Sequence, residues 1–240
     1  MNAYEPGSFL AVLTAQERAD LLRRGRERRM DRGDVLFTEG EQTTWVAVLL
    51  SGMVKACSHA DNGVEVVLAV RGPGALLGEV SAIDGLPRSA TVTALRPGRV
   101  RALSAEEFMD FLHGHSRVSV LLMRMLCQRW RDADRKRVEF GRYDTTGRVA
   151  QRLVEMAERY SEPYEPRRPQ ARGAGARGPQ PAGSVQITLN LTQEELAGWV
   201  GASREAVSKA LRTLRSRGWI ETGRRRVIVH DLQALRRHAR

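Results

Sequence analysis

Cysteine is nearly absent from this 240-residue chain. The two present, Cys57 and Cys127, are too few and too far apart for a disulfide framework, a CxxC redox pair, a four-thiolate zinc site or an iron–sulfur cluster. Long apolar runs are missing too. None approaches the ~20 residues of a membrane span, and the opening Met1-Asn2-Ala3-Tyr4-Glu5-Pro6 lacks the basic and apolar stretches of a secretory leader. A soluble, cytoplasmic protein with no membrane partner is expected. Histidine is scarce, and His59 is the only one in the whole region from Met30 to Leu103 that reads as strands, so a cupin-like metal enzyme would lack its ligand cluster. Acidic residues are outnumbered, 28 against 39 Lys+Arg, for a formal net charge of +11.

The excess positive charge is unevenly placed. Residues 1–144 hold 21 Lys+Arg and 19 Asp+Glu, whereas residues 145–240 hold 18 and 9. This is the distribution expected when one domain grips phosphates and the other does something else. A basic face can also be plain solvation, so motifs must decide. The length suits one large or two modest domains, each able to bury a core.

Thr14-Ala15-Gln16-Glu17 fits a capping box opening a helix. From about Met30 to Leu103, short apolar or alternating runs such as Val35-Leu36-Phe37, 45–50, Val54-Lys55-Ala56-Cys57, 64–70, 90–94 and 100–103 are punctuated by turn residues. These include Ser51-Gly52, Asp61-Asn62-Gly63, Gly72-Pro73-Gly74 and Pro97-Gly98. The spacing predicts a closed or double-sheet β-roll. Ser104-Ala105-Glu106-Glu107 opens another helix. A longer one is expected from about Arg117 to Phe140, with Val118, Leu121, Leu122, Met125, Leu126 and Trp130 as its apolar stripe. That stripe could be buried by a two-fold partner helix or against the roll. Asp144 to Gly147 reads as a boundary, with an amphipathic helix from Arg148 to Tyr160. Residues 161–184, rich in Pro, Gly, Ala and Arg, cannot form a core and predict a flexible insertion. Its Arg167, Arg168, Arg172 and Arg177 could touch phosphates or merely solvate a spacer. These breaks divide the chain into 1–115, a long helix and hinge over 116–143, and a basic C-terminal part over 144–240.

The most specific pattern spans residues 191–211. Thr192 and Glu195 form a capping box, Leu196, Trp199 and Val200 share one face, Gly201 breaks the helix and Ser203 caps the next. Ala206, Val207, Ala210, Leu211 and Leu214 give the second helix its apolar side. Two short helices across a glycine turn are the helix-turn-helix layout, whose second helix enters the major groove. Arg204, Glu205 and Lys209 would then face base edges. Arg and Lys can donate to guanine and Glu can accept from cytosine N4. Residues 218–229 resemble a hairpin wing with Arg224 and Arg225 at its basic tip.

Residues 78–91 combine a glycine opening a short helix, an acidic residue suited to ribose hydroxyls, and Arg88-Ser89 suited to a phosphate oxygen. Together they suggest a cyclic nucleotide. Glu79 and Arg88 could equally form an internal ion pair.

These two motifs carry a resemblance, from about Met30 to Leu232, to the cyclic-AMP receptor protein / fumarate-nitrate regulator family of bacterial transcription factors. The resemblance implies an α+β chain with a cyclic-nucleotide-binding β-roll, a long dimerisation helix and a winged helix-turn-helix. It implies no catalysis, and a homodimer on a palindromic operator with double-stranded DNA and RNA polymerase as partners. Gly78 and Glu79 match the family's ribose-side positions, and Arg88 and Ser89 its phosphate pair. Counting back from Thr146-Gly147-Arg148, Arg129 matches a dimer-helix arginine near the pocket. Ala133 and Asp134 replace two hydroxyl residues that contact adenine. Asp134 could accept from the adenine amine or from guanine N1–H and N2–H₂, so cyclic AMP is expected with cyclic GMP open. Arg204 and Glu205 match the recognition helix, where Lys209 replaces an arginine. The oxygen sensor's cysteine cluster and the haem sensor's ligands have no counterpart, so no metal, haem or iron–sulfur cofactor is expected. His113 and His115 read as surface residues, and both cysteines as apolar filler.

Overall fold

The computed structural model describes residues 4–59, 65–164, 183–189, 191–223 and 226–239, and of 139–141 the backbone alone. Two compact units divide the chain, residues 1–133 and 134–240.

In the first unit a one-turn helix, α1 (Phe9–Val12), precedes α2 (Ala15–Arg23). The capping box that opens α2 is formed: Thr14 Oγ1 accepts from the Glu17 N–H at 3.2 Å and Glu17 Oε2 from the Thr14 N–H at 2.8 Å. Six strands follow: β1 (Arg26–Met30), β2 (Val35–Phe37), β3 (Val46–His59), β4 (Glu65–Arg71), β5 (Leu76–Leu77) and β6 (Thr91–Leu103). They pair antiparallel in the order β1-β6-β3-β4, with β2 on β6 and β5 on β3. A short helix, α3 (Glu79–Asp84), lies between β5 and β6, and α4 (Ala105–Gly114) begins on the Ser104–Glu107 box.

The turns expected at Ser51-Gly52 and Pro97-Gly98 are not strand ends. β3 and β6 run through them, paired with register shifts between Leu49 and Val54. Gly52 holds φ +89°, and a Cβ there would stand 2.7 Å from the Pro97 carbonyl; one on Gly98 would stand 2.1 Å from the Ser51 carbonyl. Two glycines facing across the ladder therefore let both strands bend without losing partners. Of the expected run 64–70, Val64 lies outside the described residues.

Strand alternation divides the core. Val46 and Val48 point to one side with Phe9, Leu10, Leu21, Leu76, Leu103, Phe108 and Phe111, beneath the helices. Ala47 and Leu49 point to the other with Phe37, Val54, Val92, Ala94 and Val100, inside the roll. The long helix α5 (Ser116–Arg142) begins on the helical side. Val118 and Leu122 are buried there and Met125 and Leu126 pack against it, while Val120, Met123 and Trp130 are exposed. The single stripe read in the sequence is thus two faces, one spent on the roll and one open.

In the second unit, α6 (Thr145–Arg159) starts earlier than expected because Asp144 Oδ1 caps the Gly147 N–H at 2.8 Å. Its Val149, Leu153 and Met156 are buried. Ser161–Pro163, expected to open the flexible insertion, is a strand, β7. It pairs with β8 (Val185–Ile187), because backbone hydrogen bonding needs no large side chains. Residues 165–182 of the insertion lie outside the described residues. Helices α7 (Gln193–Val200) and α8 (Arg204–Ser216) come next, then the hairpin β9 (Ile220–Gly223) and β10 (Arg226–Val229), and α9 (Leu232–His238). The sheet order is β7-β8-β10-β9. None of the helices is long and apolar enough to cross a membrane, among the described residues.

His115, expected at the surface, is half-buried. Its Nε2 lies 2.9 Å from Asp20 Oδ2, and its ring packs on Phe111. That hydrogen bond, with those from Arg23 and Arg24, holds the Asp20 carboxyl down at about 2. A depressed carboxyl contributes stability that is complete above its ordinary value of 3.8 and is lost as pH falls through about 2. Asp20→Asn should therefore lower the urea midpoint at pH 7, and the gap from wild type should close between about pH 4 and about pH 2. A gap constant over that range would remove Asp20 from the acid response.

Candidate functional site

The cassette is built where β5 hands over to α3. Gly78 sits at the helix start with φ +77°, and a Cβ there would fall 2.5 Å from Arg88 Nη1 and 2.9 Å from Phe37 Cζ. Only glycine lets the backbone pass this close to the guanidinium. Glu79 follows, 2% exposed. Its carboxylate pairs with Arg129 of α5 rather than with Arg88, settling the ion-pair alternative left by the sequence. Arg129 also donates to the Leu76 carbonyl at 3.2 Å. One guanidinium thus ties α5 to both the last residues of β5 and the first of α3.

Arg88 is a buried cation, 3% exposed. Burial draws its pKa down from the ordinary arginine value, against the pull of Glu41 and Glu79, but a guanidinium stays protonated in proteins. Its Nε donates to Thr43 Oγ1 at 2.9 Å, Nη1 to the Gly78 carbonyl at 3.0 Å and Nη2 to the Trp45 carbonyl. The guanidinium lies 3.9 Å from the Phe37 ring centre, and Phe37 stacks on Trp45 at 4.4 Å. Three of its five N–H groups are therefore committed to protein acceptors. Ser89 beside it is exposed. The structure brings Gly78 to Arg88 and Glu79 to Arg129. Thr43, Trp45 and Phe37, which hold Arg88, escaped the sequence reading because they come from 43–51 residues upstream. Asp134 lies in the second unit, exposed on α5, taking Arg137 Nη1 at 3.4 Å.

Neither cysteine joins a site. Cys57 is buried, its thiol pushed up to about 11 by burial and then by Glu65, and it donates to the Thr91 carbonyl at 3.6 Å. Cys127 is exposed, not filler, because it sits on the face of α5 turned from the roll. Among the described residues no group of His, Cys, Asp and Glu could hold a metal ion.

The second unit carries the helix pair. Thr192 Oγ1 accepts from the Glu195 N–H at 3.1 Å and Glu195 Oε2 from the Thr192 N–H at 2.7 Å, opening α7. Gly201 ends it at φ +64°, and Ser203 Oγ caps the Ala206 N–H at 3.2 Å to open α8. Val207, Ala210, Leu211 and Leu214 anchor α8, which leaves Arg204, Glu205 and Lys209 exposed together. Arg212, one turn beyond Lys209, is exposed as well and was not singled out from sequence, although the i, i+3 step from Lys209 points to it. Arg215 donates to Thr222 Oγ1 at 3.3 Å, joining α8 to β9, and Arg226 pairs with Glu221 at 3.3 Å across the hairpin. The tip residues Arg224 and Arg225, and the insertion's four arginines, lie outside the described residues.

Comparison with known proteins gives two domain matches: residues 27–115 to the Cyclic nucleotide-binding domain and residues 147–238 to the Crp-like helix-turn-helix domain. The chain is 32% identical over 209 residues to the CRP-like cAMP-activated global transcriptional regulator of Mycobacterium tuberculosis, covering 87% of this chain and 86% of that protein. It is 27% identical over 230 residues to the cyclic AMP receptor protein of Thermus thermophilus, covering 95% of each. Among solved structures, the c-di-GMP responsive global regulator CLP of Xanthomonas campestris superposes with a TM-score of 0.74 at 22% identity. That match covers 91% of this chain and all of the other and shows the fold alone.

Arg129→Ala would leave the Glu79 carboxylate buried without its partner, at a cost of about 2 kcal/mol. Chemical denaturation should show that loss, and Glu79→Gln added to Arg129→Ala should recover part of it. A double variant no more stable than Arg129→Ala would mean that the pair is not coupled.

Proposed function

Because the chain belongs to the cyclic-AMP receptor protein / fumarate-nitrate regulator family, whose members are transcription factors and not enzymes, we propose that it is a cytoplasmic homodimer that reads a palindromic operator under the control of a cyclic nucleotide. That it is a DNA-binding regulator with a cyclic-nucleotide-binding domain follows from the family. The effector, the dimer, the operator symmetry and contact with RNA polymerase are our reading.

The observation that carries the effector part is the Glu79–Arg129 pair. A ribose hydroxyl that donates to Glu79 competes with Arg129 for the same carboxylate. A cyclic phosphate at Arg88 and Ser89 draws on the two guanidinium N–H groups not already committed to protein acceptors. Binding therefore rewrites the hydrogen bonds that fix α5 on the cassette, and α5 continues into the second unit. The nucleotide acts only through its different affinity for two states, typically a coupling of about 1–3 kcal/mol. Cyclic AMP is the effector we favour, in line with the relatives' names; Asp134 is the residue we assign to the base, where it could serve adenine or guanine.

For the dimer, Val120, Met123, Cys127 and Trp130 are exposed along α5 in steps of three and four, the rhythm of a two-stranded seam. For DNA, Thr192 and Ser203 set the helix pair. Arg204, Glu205 and Lys209 read bases, with Arg212 added here, and Arg224 and Arg225 hold phosphates.

A second reading has an observation of its own. Arg88 already satisfies Thr43, Gly78 and Trp45, as expected of a pocket turned to structural use in a ligand-independent regulator. Calorimetric titration of the purified protein with cyclic AMP and cyclic GMP separates the two: heat with either supports the effector, and none with both leaves a constitutive DNA-binding protein.

Arg204→Ala should relax sequence preference, with loss concentrated at one base pair and of about 1–3 kcal/mol. Arg225→Ala should weaken all sequences alike and lower the slope of log K against log salt by about 1. Fluorescence anisotropy on an operator and a scrambled duplex at several salt concentrations checks both, and equal behaviour of the two variants would end this division of labour.

A further inference from the structure

We infer that Thr43 is a positioning residue of the nucleotide site, its hydroxyl aiming the Arg88 guanidinium at the cyclic phosphate. The inference rests on the effector reading above and concerns a residue outside the 78–91 cassette. Thr43 stands on the loop between β2 and β3, half-buried, and its Oγ1 accepts from Arg88 Nε at 2.9 Å.

That hydroxyl is placed from the backbone of the very arginine it holds. The Arg88 N–H donates to the Glu41 carbonyl at 3.0 Å, and the Thr43 N–H donates to the same carbonyl at 3.1 Å. The Gly40 N–H donates to the Arg88 carbonyl at 2.8 Å. Arg88 is therefore joined to the loop at both ends: main chain to main chain at Gly40 and Glu41, and guanidinium to hydroxyl at Thr43. A movement of the loop carries the arginine's backbone and its side-chain anchor together.

The other acceptors on the guanidinium are the Gly78 carbonyl at Nη1 and the Trp45 carbonyl at Nη2. Both are backbone groups, and a carbonyl oxygen accepts over a broad range of directions. Contacts at these two tips leave the guanidinium able to swing about the line that joins them. Nε lies off that line, and a bond there stops the swing. The Phe37 ring, 3.9 Å from the guanidinium carbon, closes one face only. Thr43 is thus the one side chain among the three acceptors, and the place where the sequence sets the orientation.

With Nε taken, one N–H remains on each of Nη1 and Nη2. Donors on two nitrogens of one fork suit two oxygens of one phosphate. Without the hydroxyl, the Nε–H becomes a third donor for the same anion, and the guanidinium has to be ordered when the anion arrives, at the expense of affinity.

The two exocyclic oxygens of cyclic AMP, one axial and one equatorial, provide the test. Sulfur, a weaker acceptor, can replace either, giving the Rp and Sp phosphorothioates. Full-length wild type, Thr43→Val, Thr43→Ala and Thr43→Ser are titrated calorimetrically with cyclic AMP and with each diastereomer. Thr43→Ala keeps the question open should valine prevent folding.

We expect wild type to separate the two diastereomers by about tenfold. Thr43→Val and Thr43→Ala should bind cyclic AMP about tenfold more weakly and the two diastereomers alike. Thr43→Ser, which keeps the hydroxyl, should retain both the affinity and the preference. A residue that served stability alone would lower all the affinities by one factor and leave the preference as in wild type, and that result overturns the inference. Unchanged affinity for cyclic AMP in Thr43→Val and Thr43→Ala overturns it too, as does Thr43→Ser behaving like Thr43→Ala, or a wild type that binds the two diastereomers equally. Wild type that binds none of these ligands overturns the effector reading itself, a result separate from all the others.

Discussion

A carboxylate sealed from water has to be paired, and the pairing of Glu79 by Arg129 is the constraint on which the first unit's geometry turns. Gly78 must take a left-handed conformation for Glu79 to enter α3 under Arg88. Arg129 must then sit at one height along α5, which fixes the helix against the roll beyond the reach of its buried Val118 and Leu122. A purely apolar contact would hold α5 more tolerantly, because hydrophobic packing has no direction. An ion pair with a second bond to the Leu76 carbonyl does not slide.

The same constraint explains why α5 has two unlike faces. Its inner residues are spent on the core within the first three turns, after which the inward position is taken by a charge. The outer residues Val120, Met123 and Trp130 stand outside the first unit's buried cluster and keep much of their apolar surface exposed. Monomeric proteins carry scattered exposed apolar residues without consequence, but a regular series at steps of three and four along one helix is the arrangement that a second helix buries.

What could be read from the sequence was what is local. The α7–α8 pair is written in residues a few positions apart: Thr192 with Glu195, Gly201 at the break, Ser203 before Arg204, and apolar side chains at helical spacing. The structure forms each of these caps. The cassette was legible for the same reason, since Gly78 to Ser89 is one stretch. The holders of Arg88 were not, because Thr43 and Trp45 reach it only after β3 and β6 pair. Nor was the continuity of those strands: Ser51-Gly52 and Pro97-Gly98 are turn signals taken singly, and become a shared bend only when the two glycines face each other. The α5 stripe merged two faces because inner and outer series share one helical period. His115 gave no sign of Asp20, its partner 95 residues earlier.

The division of charge bears on how much work an effector must do. Residues 145–240 hold twice as many Lys+Arg as Asp+Glu, and such an excess gives affinity for any duplex through counterion release. On the proposed reading, the nucleotide then has no need to create DNA affinity. It has only to favour the arrangement in which two copies of α8 meet successive half-sites, a matter of alignment. A coupling of about 1–3 kcal/mol shifts such an equilibrium by roughly one to two orders of magnitude. That is comparable with remaking the hydrogen bonds of one charged group. On that reading the Glu79–Arg129 pair would be the lever, since a sugar hydroxyl that donates to Glu79 competes with Arg129 for the same carboxylate.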